Sequence, residues 1–177
     1  MKTEDHIVQI LYQFYPKTKE LPNHLSRVVG VFIKNKEKLS TSTRHKLNSN
    51  QILALLAEDL KSVNYKVELG KAKRDKINVP VLFGKNNVPE KAFEVDAYEP
   101  KSKTIIEIEA GRAVTNYQFL KDFFEAMIMS GIDYLVIAVR LTYRKNRDFD
   151  SVTKFFDVFY SSDKVQHQLK GILVIGY

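Results

Sequence analysis

The stretch YLVIAV at 134–139 carries no charged side chain, and after Tyr134 only apolar ones, on either of the two faces a strand would present, so as a strand it must be covered on both sides. Ahead of it, KTIIEIEA at 103–110 alternates with period two. Between them, 116–130 spaces Phe119, Leu120, Phe123, Phe124, Met127 and Ile128 as one side of a helix. Strand, helix and strand at this spacing call for a right-handed crossover and parallel pairing within one sheet. A sheet buried on both faces needs helices over each. Leu25, Val28, Val29, Phe32 and Ile33 form one helical stripe. A second helix is predicted at 50–63 with Ser49 as its cap, and a third at 148–162 before a closing strand, GILVIGY. The predicted fold is therefore α/β, a mixed sheet flanked by helices.

Other segments complete the organisation. HIVQILYQFY at 6–15 has Ile7, Ile10, Leu11, Phe14 and Tyr15 at helical spacing, ended by two prolines. YKVEL (65–69) and INVPVLF (77–83) read as strands, the second at an edge or a bulge because of Pro80. AFEVDAYE (92–99) and KTIIEIEA then form a hairpin centred near Lys101. TNYQ at 115–118 reads as a capping box with Thr115 as the cap. With 177 residues the chain suits one domain: a helical arm at 1–47, a core at 48–140, and a terminal helix and strand at 141–177.

The hairpin holds the chemistry. On its second strand Ile105, Glu107 and Glu109 share one face and Ile106, Ile108 and Ala110 the other, so the two glutamates lie roughly 6.6 Å apart along the backbone. On its first strand Glu94, Asp96 and Tyr98 share a face, and Asp96 falls opposite residue 106 or 107. Carboxylates crowded in this way repel one another and resist ionisation. Periodicity leaves two accounts: solvent-facing acids paired with Lys91, Lys101 or Lys103, or a site for a hard divalent cation, Mg2+ or alternatively Mn2+. Asp59, inside the apolar sector of the helix at 50–63, also has two, a frayed edge of the stripe or a share in that site. The absence of cysteine removes thiolate zinc and a cysteine nucleophile, and the four histidines show no ligand spacing.

"VD" at 95–96, ten intervening residues and "EIE" at 107–109 on the next strand, followed by a helix and a buried strand, resemble the core of the PD-(D/E)xK nuclease superfamily, the restriction-endonuclease-like fold. The resemblance covers about residues 50–140, a helix-strand-strand-strand-helix-strand core. It implies that Asp96 and Glu107 bind the metal and that the chain is a hydrolase of DNA phosphodiesters, with water activated at the cation. Two departures stand out: proline does not directly precede Asp96, and Glu109 occupies the position usually held by lysine, giving E-x-E. Glu109 would then bind metal, orient the water or accept its proton. Arg112 is placed to steady a phosphate and Lys121 is the candidate for a migrated lysine; for each the alternative is a solvated surface charge.

The net charge of +7 adds an affinity for polyanions. Lys71, Lys73, Arg74, Lys76 and Lys85 gather in loops near the hairpin, and Arg140, Arg144, Lys145 and Arg147 follow the buried strand, as phosphate contacts would. DNA is the expected partner, and no organic cofactor is called for. The N-terminal arm either dimerises or packs on its own core. With acids near the N-terminus and no apolar run long enough for a bilayer, the expected location is cytoplasmic, away from membranes. The rival reading is a non-catalytic nucleic-acid- or protein-binding module on the same fold.

Overall fold

The computed structural model of the chain describes residues 9–40, 47–70 and 72–177. A six-stranded mixed sheet forms its middle layer, in the order β1 (Leu11–Tyr15), β8 (Gly171–Gly176), β7 (Tyr134–Val139), β6 (Thr104–Glu109), β5 (Ala97–Glu99) and β2 (Lys66–Val67). β6, β7 and β8 run parallel, and β1, β5 and β2 each pair antiparallel with a neighbour. The all-apolar runs of β7 and β8 sit between two cores, as their composition requires. On one face, α1 (Asn23–Lys34) and α3 (Ser49–Ser62) pack on Ile106, Ile108, Val136, Leu173 and Ile175. On the other, α4 (Gln118–Ile128) and α5 (Asp148–Ser161) cover Ile105, Ile137 and Val174. A short helix, α2 (Lys36–Ser40), follows α1. No helix among the described residues is long and apolar enough to cross a membrane.

The N-terminal segment departs from the helical expectation. Residues 11–15 are a strand paired with β8, and Phe14 and Tyr15 enter opposite cores. An edge strand covered on both faces can bury adjacent residues, and that clustering mimics helical spacing. Ile7, His6 and the rest of 1–8 lie outside the described residues, as does 41–46, which includes His45.

A second departure concerns the acidic hairpin. Residues 92–99 are two strands: β4 (Pro89–Val95) pairs with β3 (Ile77–Phe83) in a separate two-stranded sheet, and only β5 joins β6. The chain changes partner at Asp96. The alternation runs through the break undisturbed, so nothing local marks it. Register shifts on either side of Leu82 bear out the bulge expected near Pro80. Of the predicted YKVEL strand, only residues 66–67 pair as a strand.

Helix starts also differ. Asn48, not Ser49, caps α3 in a full capping box with Gln51. At 115–118 no box forms: α4 begins at Gln118 after Tyr117 in a left-handed conformation, and the Thr115 hydroxyl is within reach of the Asn146 amide instead. The buried residues of α4 are Phe119, Asp122, Phe123 and Ala126, whereas Phe124 and Ile128 are exposed.

Candidate metal centre

Because Ile106 and Ile108 are anchored in the α1/α3 core, the period of β6 turns Glu107 and Glu109 to the α4 side. The β5–β6 register pairs Ala97 with Ile106, and its continuation sets Asp96 beside Glu107. At the break between β4 and β5 the Asp96 side chain turns along β6, and its Oδ2 accepts the Ile108 N–H at 2.8 Å. Asp122 reaches the same space from the first turns of α4. Gln118 Nε2 donates to its Oδ1 at 2.9 Å, while its buried Oδ2 has no hydrogen-bond partner. These four carboxylates line a cavity of about 250 Å³.

Burial and mutual repulsion both hold protons on these groups. Asp96 is pushed up to about 6, chiefly by burial and partly by the charge of Glu68, against the opposing Ile108 hydrogen bond. Glu107 is raised well above the usual carboxylate range by burial and then by Asp96, Asp122 and Glu109. Glu109 is raised to about 8 by burial, with Asp122 the neighbour that bears on it most. Burial likewise lifts Asp122 to about 6, against the Gln118 hydrogen bond.

Cations stand at the rim. Lys76 Nζ lies 2.7 Å from Glu68 Oε1 and 3.3 Å from Glu94 Oε2, and both glutamates line the cavity. Lys121 lies 3.2 Å from Glu125. A second cleft of about 460 Å³ adjoins the first through Ser49, Asn50, Glu109 and Gln118, and Arg112 opens onto it. Its wall is tied together by Ser49 Oγ, which accepts the Ala110 N–H, and by Arg140, which donates to the Ala110 and Leu47 carbonyls. Gly111 holds φ at +126°, a conformation that favours glycine, and a Cβ there would lie 2.4 Å from the Tyr143 ring.

Asp96, Glu107 and Glu109 therefore share one cavity, with Glu94 and Lys121 at its edge and Arg112 in the adjoining cleft. Asp59 does not join them: it accepts from Lys34 Nζ and Asn35 Nδ2, between α1 and α3. Two of the expected phosphate-binding cations have structural partners, Arg140 buried in the wall and Lys76 between two glutamates; Lys71 lies outside the described residues. Sequence reasoning missed Asp122, Glu68 and the bond from Gln118 to Asp122. For Asp122 a signal existed, an acid at i+3 from Phe119 and i−4 from Ala126 on the core side of the helix. Glu68 had none, since its role follows from its N–H bonding the Asp96 carbonyl at 2.9 Å across to another strand.

The donor set consists of carboxylate oxygens without imidazole or thiolate, which suits a hard cation such as Mg2+ or Mn2+. The partnerless Asp122 Oδ2 suits the same ion, because a buried acceptor without a donor otherwise carries an uncompensated desolvation cost. Among the described residues, no three acidic or imidazole side chains already converge as a ready-made ligand set. Comparison with family models, with curated proteins and with solved structures finds no match for the chain.

Proposed function

We propose that the chain is a divalent-metal-dependent nuclease that hydrolyses DNA phosphodiester bonds on a restriction-endonuclease-like core. The observation that carries this reading is the cluster of Asp96, Glu107, Glu109 and Asp122 in one cavity of a chain with net charge +7. Carboxylates kept together at this electrostatic cost have a natural use in holding a cation, and a basic surface has one in gathering a polyanion. The order α3, β strands, α4, β7 supports the fold assignment.

Asp96 and Glu107 would hold Mg2+, which when bound supplies charge neutralisation at the scissile phosphate and a lower pKa for water. Glu109, ionised once a bound cation offsets the neighbouring negative charge, would accept the proton as water attacks phosphorus. The P–O bond to the departing sugar oxygen breaks, and solvent returns a proton to that oxygen. Arg112 steadies a phosphate in the adjoining cleft by charge-assisted hydrogen bonds. Lys121, at the rim, limits the negative potential a phosphate would meet on entry.

Supercoiled plasmid incubated with the protein and Mg2+ tests this. Relaxed or linear product is expected from the unaltered chain, and none from Asp96→Asn or Glu107→Gln chains that melt normally. Equal cleavage by the variants overturns the reading, because it marks a contaminating nuclease. DNA binding that weakens with salt, without cleavage under any divalent cation, favours the binding module instead.

A further inference from the structure

Resting on the reading of DNA as the substrate, we infer that the β3–β4 hairpin is a wedge: its tip enters the minor groove within about seven base pairs of the scissile phosphate, and Phe83 opens a base step there and kinks the duplex. The hairpin has a seated base and a projecting end. Val79 and Val95 are buried at the base, where Ile77, Val81 and Phe93 pack on the same core as α4. From residue 82 to residue 91 every position but Gly84 is exposed. Leu82, Phe83 and Val88 are large and apolar, yet they stand 56%, 45% and 58% exposed at that end, where the chain's own core does not reach them. The end is also held in shape. Gly84 N–H donates to the Val88 carbonyl at 2.8 Å and Asn87 N–H to the Gly84 carbonyl at 3.1 Å, while Asn86 and Asn87 take left-handed conformations that asparagine tolerates. A tip ordered in advance loses little freedom on binding.

The chemistry of the tip selects the partner. A duplex offers apolar base faces behind a screen of phosphates, and the tip offers apolar side chains beside cations. Lys85 is exposed in the turn, Lys91 lies over the Phe93 ring, and the acid at this end, Glu90, is folded back on Gly84, where an added Cβ would lie 1.9 Å from its Oε1. Three side chains cover only a few hundred Å², against the ~800 Å² that each partner buries in a standard protein interface. Apolar wedges of this size act between base steps from the minor groove, and two strands about 4.8 Å apart make a ribbon narrow enough to reach in. Position agrees with composition. β4 leads directly into Asp96, so the seven residue steps from Pro89 to Asp96 span about 23 Å, or about seven base-pair steps of ~3.4 Å. A phosphate at the carboxylates and the hairpin tip therefore reach the same duplex.

Duplexes of about 40 base pairs, stiff because they are well under one persistence length of ~150 base pairs, test the wedge when labelled at both ends for energy transfer and bound in EDTA. The unaltered chain is expected to bring the ends together. Phe83→Ala removes no charge, so it should keep the salt slope of binding while losing the bend and about tenfold in affinity, the loss of one base–aromatic stack. The chain has no tryptophan, so Phe83→Trp places its one indole at the tip; this variant should keep the bend, and its fluorescence should be quenched on binding. That signal reads the tip directly even if Phe83→Ala melts early. A bound but straight duplex, a bend kept by Phe83→Ala, or an indole that DNA leaves unquenched overturns the wedge and leaves the nuclease reading standing. A dimer that Phe83→Ala converts to monomer gives the tip to a second copy and overturns the wedge as well. No DNA binding by the unaltered chain, in EDTA or with Ca2+, overturns the substrate reading beneath it.

Discussion

A carboxyl group in water loses its proton near pH 4, but in the cation-free fold Asp96 and Asp122 keep theirs to about 6 and Glu109 to about 8. Over that interval the folded chain binds more protons than the unfolded one. Stability is therefore fully present below about pH 4 and is lost as pH rises through about 6 and then about 8, the reverse of the usual salt-bridged carboxylate. In EDTA the melting temperature should fall between about pH 7 and about pH 8.5, above the range where the half-buried His24 and His167 act in the opposite sense, and Glu109→Gln should flatten that fall. If the cavity holds Mg2+ as proposed, the ion would compete with these protons and should raise the melting temperature more at alkaline than at acid pH. A melting temperature that climbs between about pH 7 and about pH 8.5 in EDTA would show that Glu109 is not held protonated.

Two expectations at the level of elements can be checked by paired substitutions. The capping box belongs to α3, so Asn48→Ala should cost about 1 kcal/mol in denaturant unfolding. Thr115→Ala, at an exposed position that caps nothing, should stay within about 0.5 kcal/mol. If Thr115 were the working cap, the two results would exchange places. The strand at 11–15 has its own probe in Gly171, whose added Cβ would lie 2.5 Å from the Phe14 ring and 2.9 Å from the Tyr15 carbonyl. Gly171→Ala should destabilise by roughly 1–3 kcal/mol through overpacking of β1 on β8. A neutral outcome would mean that 11–15 does not run beside residue 171.

Across the whole molecule, the basic charge is divided between internal and exposed positions. Some of it is internal: Arg140 ties the Ala110 and Leu47 carbonyls, and Lys76 bridges Glu68 and Glu94. The remainder includes the exposed Arg74 and Lys85 beside the β3–β4 hairpin, whose second strand leads directly into Asp96. The nuclease reading expects DNA affinity, measured in EDTA, to fall linearly on a log–log plot against salt. Removing one phosphate-neutralising charge, by Arg74→Ala or by Lys85→Ala, should reduce the slope by about 0.9. Arg140→Ala should instead lower the melting temperature, because it leaves two carbonyls without their buried donor. Unchanged slopes in both loop variants would remove the hairpin flank from the DNA-binding surface.

The chain's own residues determined the parts of this protein that depend on local pattern. An all-apolar run such as 134–139 has only one soluble use as a strand, between two layers, and period two by itself puts Glu107 and Glu109 on one face with Ile106 and Ile108 on the other. The closing strand and most of the α1 stripe were legible for the same reason, although Ile33 is exposed and Val31 is buried in its stead. Tertiary structure alone decided that residues 11–15 complete the sheet, that the chain changes sheets at Asp96, and that Glu68, Lys76 and Asp122 stand around the carboxylates. Those outcomes depend on partners distant in sequence: β8 for β1, Asp96 for Glu68, and the face of β6 for α4. Helical spacing puts Asp122 on the core side of α4, and only the packing of that helix on the sheet decides that its carboxylate is buried with Oδ2 left without a donor.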